Sequence, residues 1–233
     1  MASATRLIIF GLLLVSPNLV ICGSPGDANN TDPATIVFRE CKKAVELPRE
    51  LLIQCIMGGF NLEALFLEGA AEQTPNDTKL LDPVDLCRKK ESIIGCIRDT
   101  ADMVQTFTNK SQLMVPFATG MIVESIAILC ENNSQILSAF IGEDQVECME
   151  RTLKSQKCQS RLGGVEVVEE SLICEFPDPR DDRFTKASIC QYIFDFLGCA
   201  EEMGEMCSEV MKNAAKTLKA RWPKETICSK YLP

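Results

Sequence analysis

The chain has 233 residues, of which 33 are acidic, 24 are basic and none is histidine, giving a formal net charge of −9. This acidity disfavours nucleic acid and anionic membranes as partners. Without histidine the chain cannot form a Ser-His-Asp or Cys-His catalytic centre or a histidine-ligated zinc site. We therefore expect no enzyme, no cofactor and no metal, although a pair of carboxylates alone could still serve a glycosidase.

The N-terminal segment has the three parts of a secretory signal peptide. Arg6 supplies the positive charge, an apolar run follows at residues 7–15, and residues 20–23 offer a cleavage site. A membrane span needs roughly 20 apolar residues, and Pro17 and Asn18 interrupt this run. We expect residues 1–23 to be removed and the mature chain to be secreted, extracellular and without a membrane span.

The number of cysteines also indicates an exported protein. One of the 13 cysteines, Cys22, falls at the end of the signal, which leaves an even number for a closed disulfide framework. The sequence alone leaves their connectivity open. The disulfide candidates are Cys41, Cys55, Cys87, Cys96, Cys130, Cys148, Cys158, Cys174, Cys190, Cys199, Cys207 and Cys228.

Four N-x-[ST] sequons are candidate N-glycosylation sites, and all of them precede residue 135. They lie in polar stretches, where an attached glycan would mark the protein surface. The candidate asparagines are Asn29, Asn76, Asn109 and Asn132.

Helical patterns fill the first part of the mature chain. Asp32-Pro33 pairs an N-cap residue with a proline at the first helical position, so it predicts a helix start. Pro48 is expected to interrupt this helix and to open a second one that ends at Gly58-Gly59. Asp82-Pro83 repeats the start signal. The apolar residues that follow at helical spacing are Leu86, Ile93, Ile97 and Val104.

The next segments are also predicted to be helical. Residues 109–111 are expected to form a loop before the apolar stretch 113–130, which we interpret as a buried core helix. Shorter helices are expected at 134–141 and 143–158. Residues 165–174 fit either a helix or a strand, and residues 176–184 predict an exposed, turn-rich connection.

The strongest helical pattern lies near the C-terminus. Thr185 is predicted to cap a helix whose apolar period near 3.6 continues to Leu218, with a bend allowed at Gly204 and an end at Trp222-Pro223. The basic residues of this region are expected to form a solvated helix face, with an anion-binding role as the alternative. They are Lys212, Lys216, Lys219, Arg221, Lys224 and Lys230.

Two windows of the sequence match in register. Leu86-Cys87 and Gly95-Cys96 have the same spacing as Ile189-Cys190 and Gly198-Cys199, at an offset of 103 residues. A distal cysteine closes each unit, and the cysteines left over, Cys148 and Cys207, could pair with each other. We predict an all-α, disulfide-stapled helical bundle of two similar halves, 24–147 and 148–233, packed as one globular unit. A chance match in a cysteine-rich chain is the alternative.

The C-x8-C helices, the sequons, the acidity and the lack of histidine together resemble the insect 27 kDa haemolymph glycoprotein family. The resemblance covers essentially all of the mature chain. It implies circulation in haemolymph, and it implies no catalytic residues.

Three functional hypotheses follow. The first is a non-enzymatic secreted glycoprotein that carries small apolar ligands, since methionine suits pliable pockets; the residues concerned are Met114, Met121, Met203, Met206 and Met211. The second is an extracellular protein-interaction or immune-related module that makes contact through Arg180, Asp181, Asp182 and Arg183. The third is a carboxylate-based hydrolase built on Glu166, Glu169 and Glu170, which more simply form a solvated face.

Overall fold

Helices dominate the computed structural model, which describes residues 33–59, 82–141, 145, 148, 172–178, 180, 182 and 184–232. Within these ranges the chain forms α-helices and one short 3-10 helix and no strand, which confirms the all-α class. The elements are α1 (Pro33–Gly59), α2 (Pro83–Arg88), α3 (Lys90–Val104), α4 (Asn109–Leu129), α5 (Glu131–Ile141), α6 (Lys186–Cys207), α7 (Glu209–Glu225) and the 3-10 helix η1 (Ile227–Lys230).

Several predictions concern residues outside this description. The signal segment lies there, and so do nearly all of the expected helix at 143–158 and most of the ambiguous segment 165–174. The individual residues are Asn29, Asn76, Cys158, Glu166, Glu169, Glu170, Asp181 and Arg183.

Helix α1 is continuous, so the predicted interruption at Pro48 is wrong. A proline inside a helix removes one backbone hydrogen bond and costs about 3 kcal/mol. Pro48 is nevertheless buried in the face of α1 that packs inward. Disulfides Cys41–Cys174 and Cys55–Cys96 tie down the helix on either side of the proline. These tertiary attachments offset the local cost.

The start of α2 is as predicted, because Oδ1 of Asp82 accepts a hydrogen bond from the N–H of Val84 at 2.9 Å. The apolar face predicted for α2 and α3 is buried, which is confirmed at Leu86, Ile93, Ile97 and Val104.

The predicted loop at residues 109–111 is wrong, because these residues form the first turn of α4. Thr108 and Ser111 make a reciprocal capping box: the Thr108 hydroxyl accepts from the N–H of Ser111, and the Ser111 hydroxyl accepts from the N–H of Thr108, each at 2.9 Å. These bonds satisfy backbone donors that a helix start leaves free. A threonine–serine pair therefore starts the helix where the polar composition indicated a turn.

Helix α4 runs through the centre of the bundle, as expected. It is the one helix of the described ranges that is long and apolar enough to cross a membrane, with a mean hydropathy of 1.6 over its most apolar window, and half of that window is buried inside the protein. Met121 and Ile126 are each only 1% exposed. The Glu124 carboxylate accepts a hydrogen bond from the N–H of Ile227 at 2.5 Å and so joins α4 to η1. The burial supports the interpretation as a core helix.

The long C-terminal helix predicted from Thr185 to Trp222 is in fact two helices. Thr185 does cap α6, with its hydroxyl accepting from the N–H of Ser188 at 3.1 Å. The chain then reverses at Ser208, whose extended backbone ends α6 and whose hydroxyl caps α7. Pairs such as Lys219–Glu201 and Lys212–Glu205 show that α6 and α7 run antiparallel. The expected bend at Gly204 is therefore wrong, and the chain turns four residues later.

The two matching sequence windows have corresponding places in the structure. The N-caps Asp82 and Thr185 lie at the offset of the sequence repeat, and each begins a helical segment that is followed by a further helix. In the first case the disulfide Cys87–Cys130 links α2 to the residue directly after α4. In the second case the disulfide Cys190–Cys228 links the start of α6 to η1, just after α7.

The cysteines that the repeat left over, Cys148 and Cys207, are joined to each other. Cys199 is also disulfide-bonded. Where both cysteines of a disulfide lie in the described ranges, their Cα–Cα distance is 5.2–5.8 Å, which is ordinary for a disulfide. Within those ranges, the bonds reach from α1 at one end of the chain to η1 at the other.

Candidate functional site

One surface feature is a segment that we call the anchored loop, which comprises the described residues 172–178, 180, 182 and 184. Cys174 is fully buried and bonded to Cys41 of α1. Ile173 is 8% exposed and packs in a small core with Val104 and Val115 of α3 and α4. The start of the loop is therefore fixed both covalently and by apolar packing.

The first turn of α4 holds the loop by hydrogen bonds. The Thr108 hydroxyl donates to the carbonyl oxygen of Ile173 at 2.6 Å. The backbone N–H of Lys110 donates to a carboxylate oxygen of Glu175 at 3.4 Å, a longer contact that places the acid near the positive end of the helix dipole. The residue that caps α4 thus also fixes the loop.

Lys110 forms the central contact of the anchored loop. Its ammonium nitrogen lies 2.5 Å from Oδ1 of Asp182, and its side chain is only 10% exposed. The same nitrogen lies 5.2 Å from the centre of the Phe176 ring, which packs at 5.1 Å against Phe38 of α1. A nearly buried ammonium group requires a counter-charge, so loss of Asp182 would leave an uncompensated charge.

The tip of the loop points outward. The Arg180 side chain is 89% exposed and makes a two-pronged ion pair with Asp178, at 2.6 and 3.0 Å to one carboxylate oxygen. Hydrogen bonds from Arg180 lower the pKa of the Asp178 carboxyl. The predicted exposed connection is thus correct for the tip and wrong for Phe176 and Asp182, which face inward.

Exposed aliphatic side chains lie on α1. Ile36 and Val37, which directly precede Phe38, are 41% and 59% exposed, and Leu47 farther along the helix is 61% exposed. Ile36 and Val37 thus lie next to Phe38, whose ring contacts Phe176 of the loop. No sequence pattern singles out Ile36, Leu47 or Lys110 as surface-site residues. The contacts of Lys110 lie 65–72 residues away along the chain, so no local pattern marks them.

A second feature is an open cleft of about 280 Å³ on the α6–α7 hairpin. Lys219 reaches into it, with its ammonium nitrogen 2.9 Å from Glu201 and 5.6 Å from the centre of the Phe194 ring. Its other lining residues are Asp195, Gly198 and Glu202. Three of the five lining residues are therefore charged, which does not suit a purely apolar ligand.

The basic stretch of α7 is largely neutralised. Besides Lys219, Lys212 pairs with Glu205 at 2.6 Å and Arg221 pairs with Glu131 at 2.7 Å. The ion pair with Lys212 lowers the pKa of the Glu205 carboxyl through a hydrogen bond. The stretch is therefore a set of interhelical ion pairs rather than a wholly solvated face. Lys216, Lys224 and Lys230 remain exposed.

The methionines proposed to line a pocket mostly fill the core. Met114, Met121 and Met211 are 6%, 1% and 2% exposed, whereas Met206 is 68% exposed at the α6–α7 reversal. No cluster of three or more potential metal ligands occurs in the described ranges. Of the sequons, Asn109 and Asn132 are exposed, at the start of α4 and in the first turn of α5.

Comparison with known proteins gives one match. The family model described as "Protein of unknown function (DUF1397)" matches residues 34–219, which is well over half of the chain and spans α1 to most of α7. No curated protein and no solved structure matches the chain. The chain therefore belongs to the DUF1397 family of proteins of unknown function.

Proposed function

We propose that the chain is a secreted, non-enzymatic glycoprotein of extracellular fluid that binds another extracellular protein through the anchored loop. One observation carries the proposal: the inner residues of the loop are fixed by a disulfide, by hydrogen bonds and by the Lys110–Asp182 pair, while Arg180 is held at an exposed tip. A function in haemolymph, as the sequence resemblance implies, is one form of this proposal.

The disulfides support the extracellular location. Disulfides persist in oxidising compartments and are rare in reducing ones. Here they connect α1 with α3, α2 with the end of α4, and α6 with η1, so the fold depends on oxidised sulfur throughout its described length. A reducing compartment would remove these cross-links.

The rigidity of the loop supports binding. A loop that is already ordered loses less conformational entropy when a partner docks. Arginine is enriched among the residues that dominate binding energy at protein interfaces. The exposed guanidinium of Arg180 fits a partner that presents an acidic group.

The alternatives have less support. A carrier of apolar ligands is less well supported, because in the described part of the chain most of the methionines fill the core and the cleft is open and charged. The hydrolase candidates Glu166, Glu169 and Glu170 lie outside the described residues. A general acid needs a carboxyl with a raised pKa, and among the described carboxyls basic partners lower the pKa values of Asp178, Glu205 and Glu225. The two similar halves are likewise a proposal, supported by the corresponding caps and disulfides.

The binding proposal is tested by comparing two exposed arginines that each pair with an aspartate. Arg180→Ala removes the exposed guanidinium group at the loop tip. Arg88→Ala removes a similar ion pair, Arg88–Asp85, which is 2.6 Å long and has a 73% exposed arginine side chain. Tagged full-length protein collected from culture medium is incubated with native extracellular fluid, and bound proteins are quantified by mass spectrometry. We expect one protein to be retained by wild type and Arg88→Ala but about tenfold less by Arg180→Ala, a difference of about 1.4 kcal/mol.

Two results would count against the proposal. Equal retention of every bound protein by the two variants would remove the anchored loop as the binding site. Absence of the full-length chain from the culture medium, with accumulation inside the cells, would remove the extracellular role.

A further inference from the structure

The sequon Asn132-Asn133-Ser134 has an uncommon backbone conformation at a kink within the first turn of α5. All three residues have positive φ values, 49°, 57° and 63°. This left-handed region is disfavoured for residues with a side chain, and asparagine tolerates it better than serine does. Asn132 is exposed, whereas Ser134 is only 2% exposed. The folded chain thus presents the acceptor asparagine while it hides the hydroxyl of the same sequon.

Glycosylation of a sequon needs both groups. The amide nitrogen of asparagine forms a bond to the anomeric carbon of an oligosaccharide, the bond from that carbon to a lipid pyrophosphate breaks, the pyrophosphate leaves, and the amide loses one proton. The transferase also recognises the Ser or Thr hydroxyl two residues later, on an extended segment. A compact left-handed turn with a buried hydroxyl does not satisfy this requirement.

We propose that Asn132 accepts an N-linked oligosaccharide only before this part of the chain folds, and that closure of the Cys87–Cys130 disulfide ends the opportunity. The inference rests on the proposed secretion. Cys130 lies two residues before Asn132, directly after α4, and its partner Cys87 lies on α2. The bond fixes the end of α4, and the neighbouring Leu129 and Leu137 are buried with it.

The order of synthesis makes the two reactions compete. Both cysteines precede Asn132 in the chain, so their bond can form as soon as the sequon is exported. Synthesis of the remaining residues takes on the order of 5–20 s at about 5–20 residues per second. Disulfide formation takes seconds or longer. The disulfide can therefore close while the chain is still being made, so we expect wild-type chains to be a mixture of modified and unmodified Asn132.

Asn109 provides an internal control. Its sequon hydroxyl, Ser111, is also fully buried in the folded chain. The contact that completes this region, however, is the bond from Thr108 to the carbonyl of Ile173, next to Cys174 of the Cys41–Cys174 disulfide. That segment is made about 65 residues later than Asn109, so Asn109 stays accessible for longer and does not depend on Cys87–Cys130.

The experiment uses the full-length chain expressed in secretory cells. Occupancy at Asn132 and Asn109 is measured by enzymatic deglycosylation in heavy-oxygen water and mass spectrometry of total cellular and secreted protein. The wild type is compared with the double variant Cys87→Ser, Cys130→Ser. We expect Asn132 occupancy to rise about twofold or more in the variant, because the competing closure of the disulfide is removed, and Asn109 occupancy to stay unchanged.

Because the double variant can misfold, wild-type cells are also treated briefly with a membrane-permeant thiol, which delays disulfide closure without a substitution. The same rise at Asn132 is expected. If the fraction of chains glycosylated at Asn132 is the same with and without the disulfide, whether that fraction is none or all, the inference is overturned and the proposed secretion is unaffected. A chain that stays inside the cell with no glycan at any sequon would overturn the proposed secretion itself.

Discussion

Gly204 of α6 lies directly against the backbone of Lys212 in α7. A Cβ atom at position 204 would stand 2.8 Å from the Lys212 Cα and 2.9 Å from its backbone nitrogen, closer than real Cβ contacts. The N–H of Ser208, the residue that ends α6, donates to the Gly204 carbonyl at 2.9 Å. The tight reversal of the hairpin therefore depends on the absence of a side chain at this position.

We expect Gly204→Ala to destabilise the protein by about 1–3 kcal/mol, because two helix backbones must separate to admit the methyl group. For a chain of this size, each kcal/mol lowers Tm by about 2–4 °C. Gly95→Ala is the matched control, since Gly95 lies inside α3 and a Cβ there meets nothing within 4 Å. That change should raise stability by about 0.5–1 kcal/mol. Equal effects of both variants on Tm would contradict the close approach at Gly204.

Trp222 is the single tryptophan of the chain, and it is 4% exposed. Its indole nitrogen has no hydrogen-bond partner within the described part of the protein. A buried donor without a partner costs about 1–3 kcal/mol. Phenylalanine removes this donor and keeps an aromatic ring, so we expect Trp222→Phe to change the unfolding free energy by less than about 1.5 kcal/mol.

Trp222→Leu is the contrasting variant. It also removes the indole N–H but leaves more empty volume in the core, so it should cost clearly more than Trp222→Phe. Stability is read from thermal unfolding by circular dichroism, since both variants lack tryptophan fluorescence. A loss with phenylalanine as large as that with leucine would contradict this expectation, because both variants remove the indole N–H and differ only in the volume left empty.

Local sequence signals predicted the helix starts correctly at two positions, and long-range contacts explain most of the errors. Asp82 and Thr185 were recognisable because an N-cap acts through neighbouring residues only. The reversal at Ser208 was missed because apolar residues keep a helical period across it. What turns the chain there is the Gly204–Lys212 approach and the Cys148–Cys207 bond, and neither is visible in a periodic pattern.

The candidate site was predictable only in part. The composition of residues 176–184 indicated a turn-rich, charged connection, and the exposed Arg180 agrees with that. The inward position of Asp182 depends on Lys110, which is 72 residues distant in the chain. The same limit applies to Pro48, where disulfides formed by distant cysteines keep a proline inside a helix.

Lys110→Met should loosen the anchored loop. Methionine keeps a flexible stem of similar bulk, but it leaves Asp182 without its cation and removes the ammonium group from the Phe176 ring. Local opening of the loop should become easier by about 1.4 kcal/mol or more, which corresponds to a tenfold rise in the open population. The measurement is the rate at which trypsin cleaves after Arg180, followed by mass spectrometry of the released peptide.

The control for this change is Lys216→Met on the exposed face of α7, which should leave cleavage at Arg180 unchanged. Both proteins need the same Tm within a few degrees for the comparison to report local opening. An unaltered cleavage rate in Lys110→Met would show that the disulfide alone holds the loop.

Tyr192 of α6 should make stability fall with rising alkalinity. Burial raises the pKa of its phenol from the ordinary value near 10 to about 12. The folded protein therefore holds the phenol proton more tightly than the unfolded chain does. This contribution to stability is fully present below about pH 10 and is lost as the pH rises toward 12.

Because lysine side chains also titrate in this range, Tyr192→Phe is needed as the reference protein. Tm is measured from pH 8 to 11 with short exposure, to limit damage to the disulfides. The wild type should lose more Tm than Tyr192→Phe between pH 10 and 11, and the two profiles should run parallel below pH 9, where the phenol is protonated in both states. Parallel profiles over the whole range would mean that the Tyr192 phenol ionises as readily in the folded protein as in the unfolded chain.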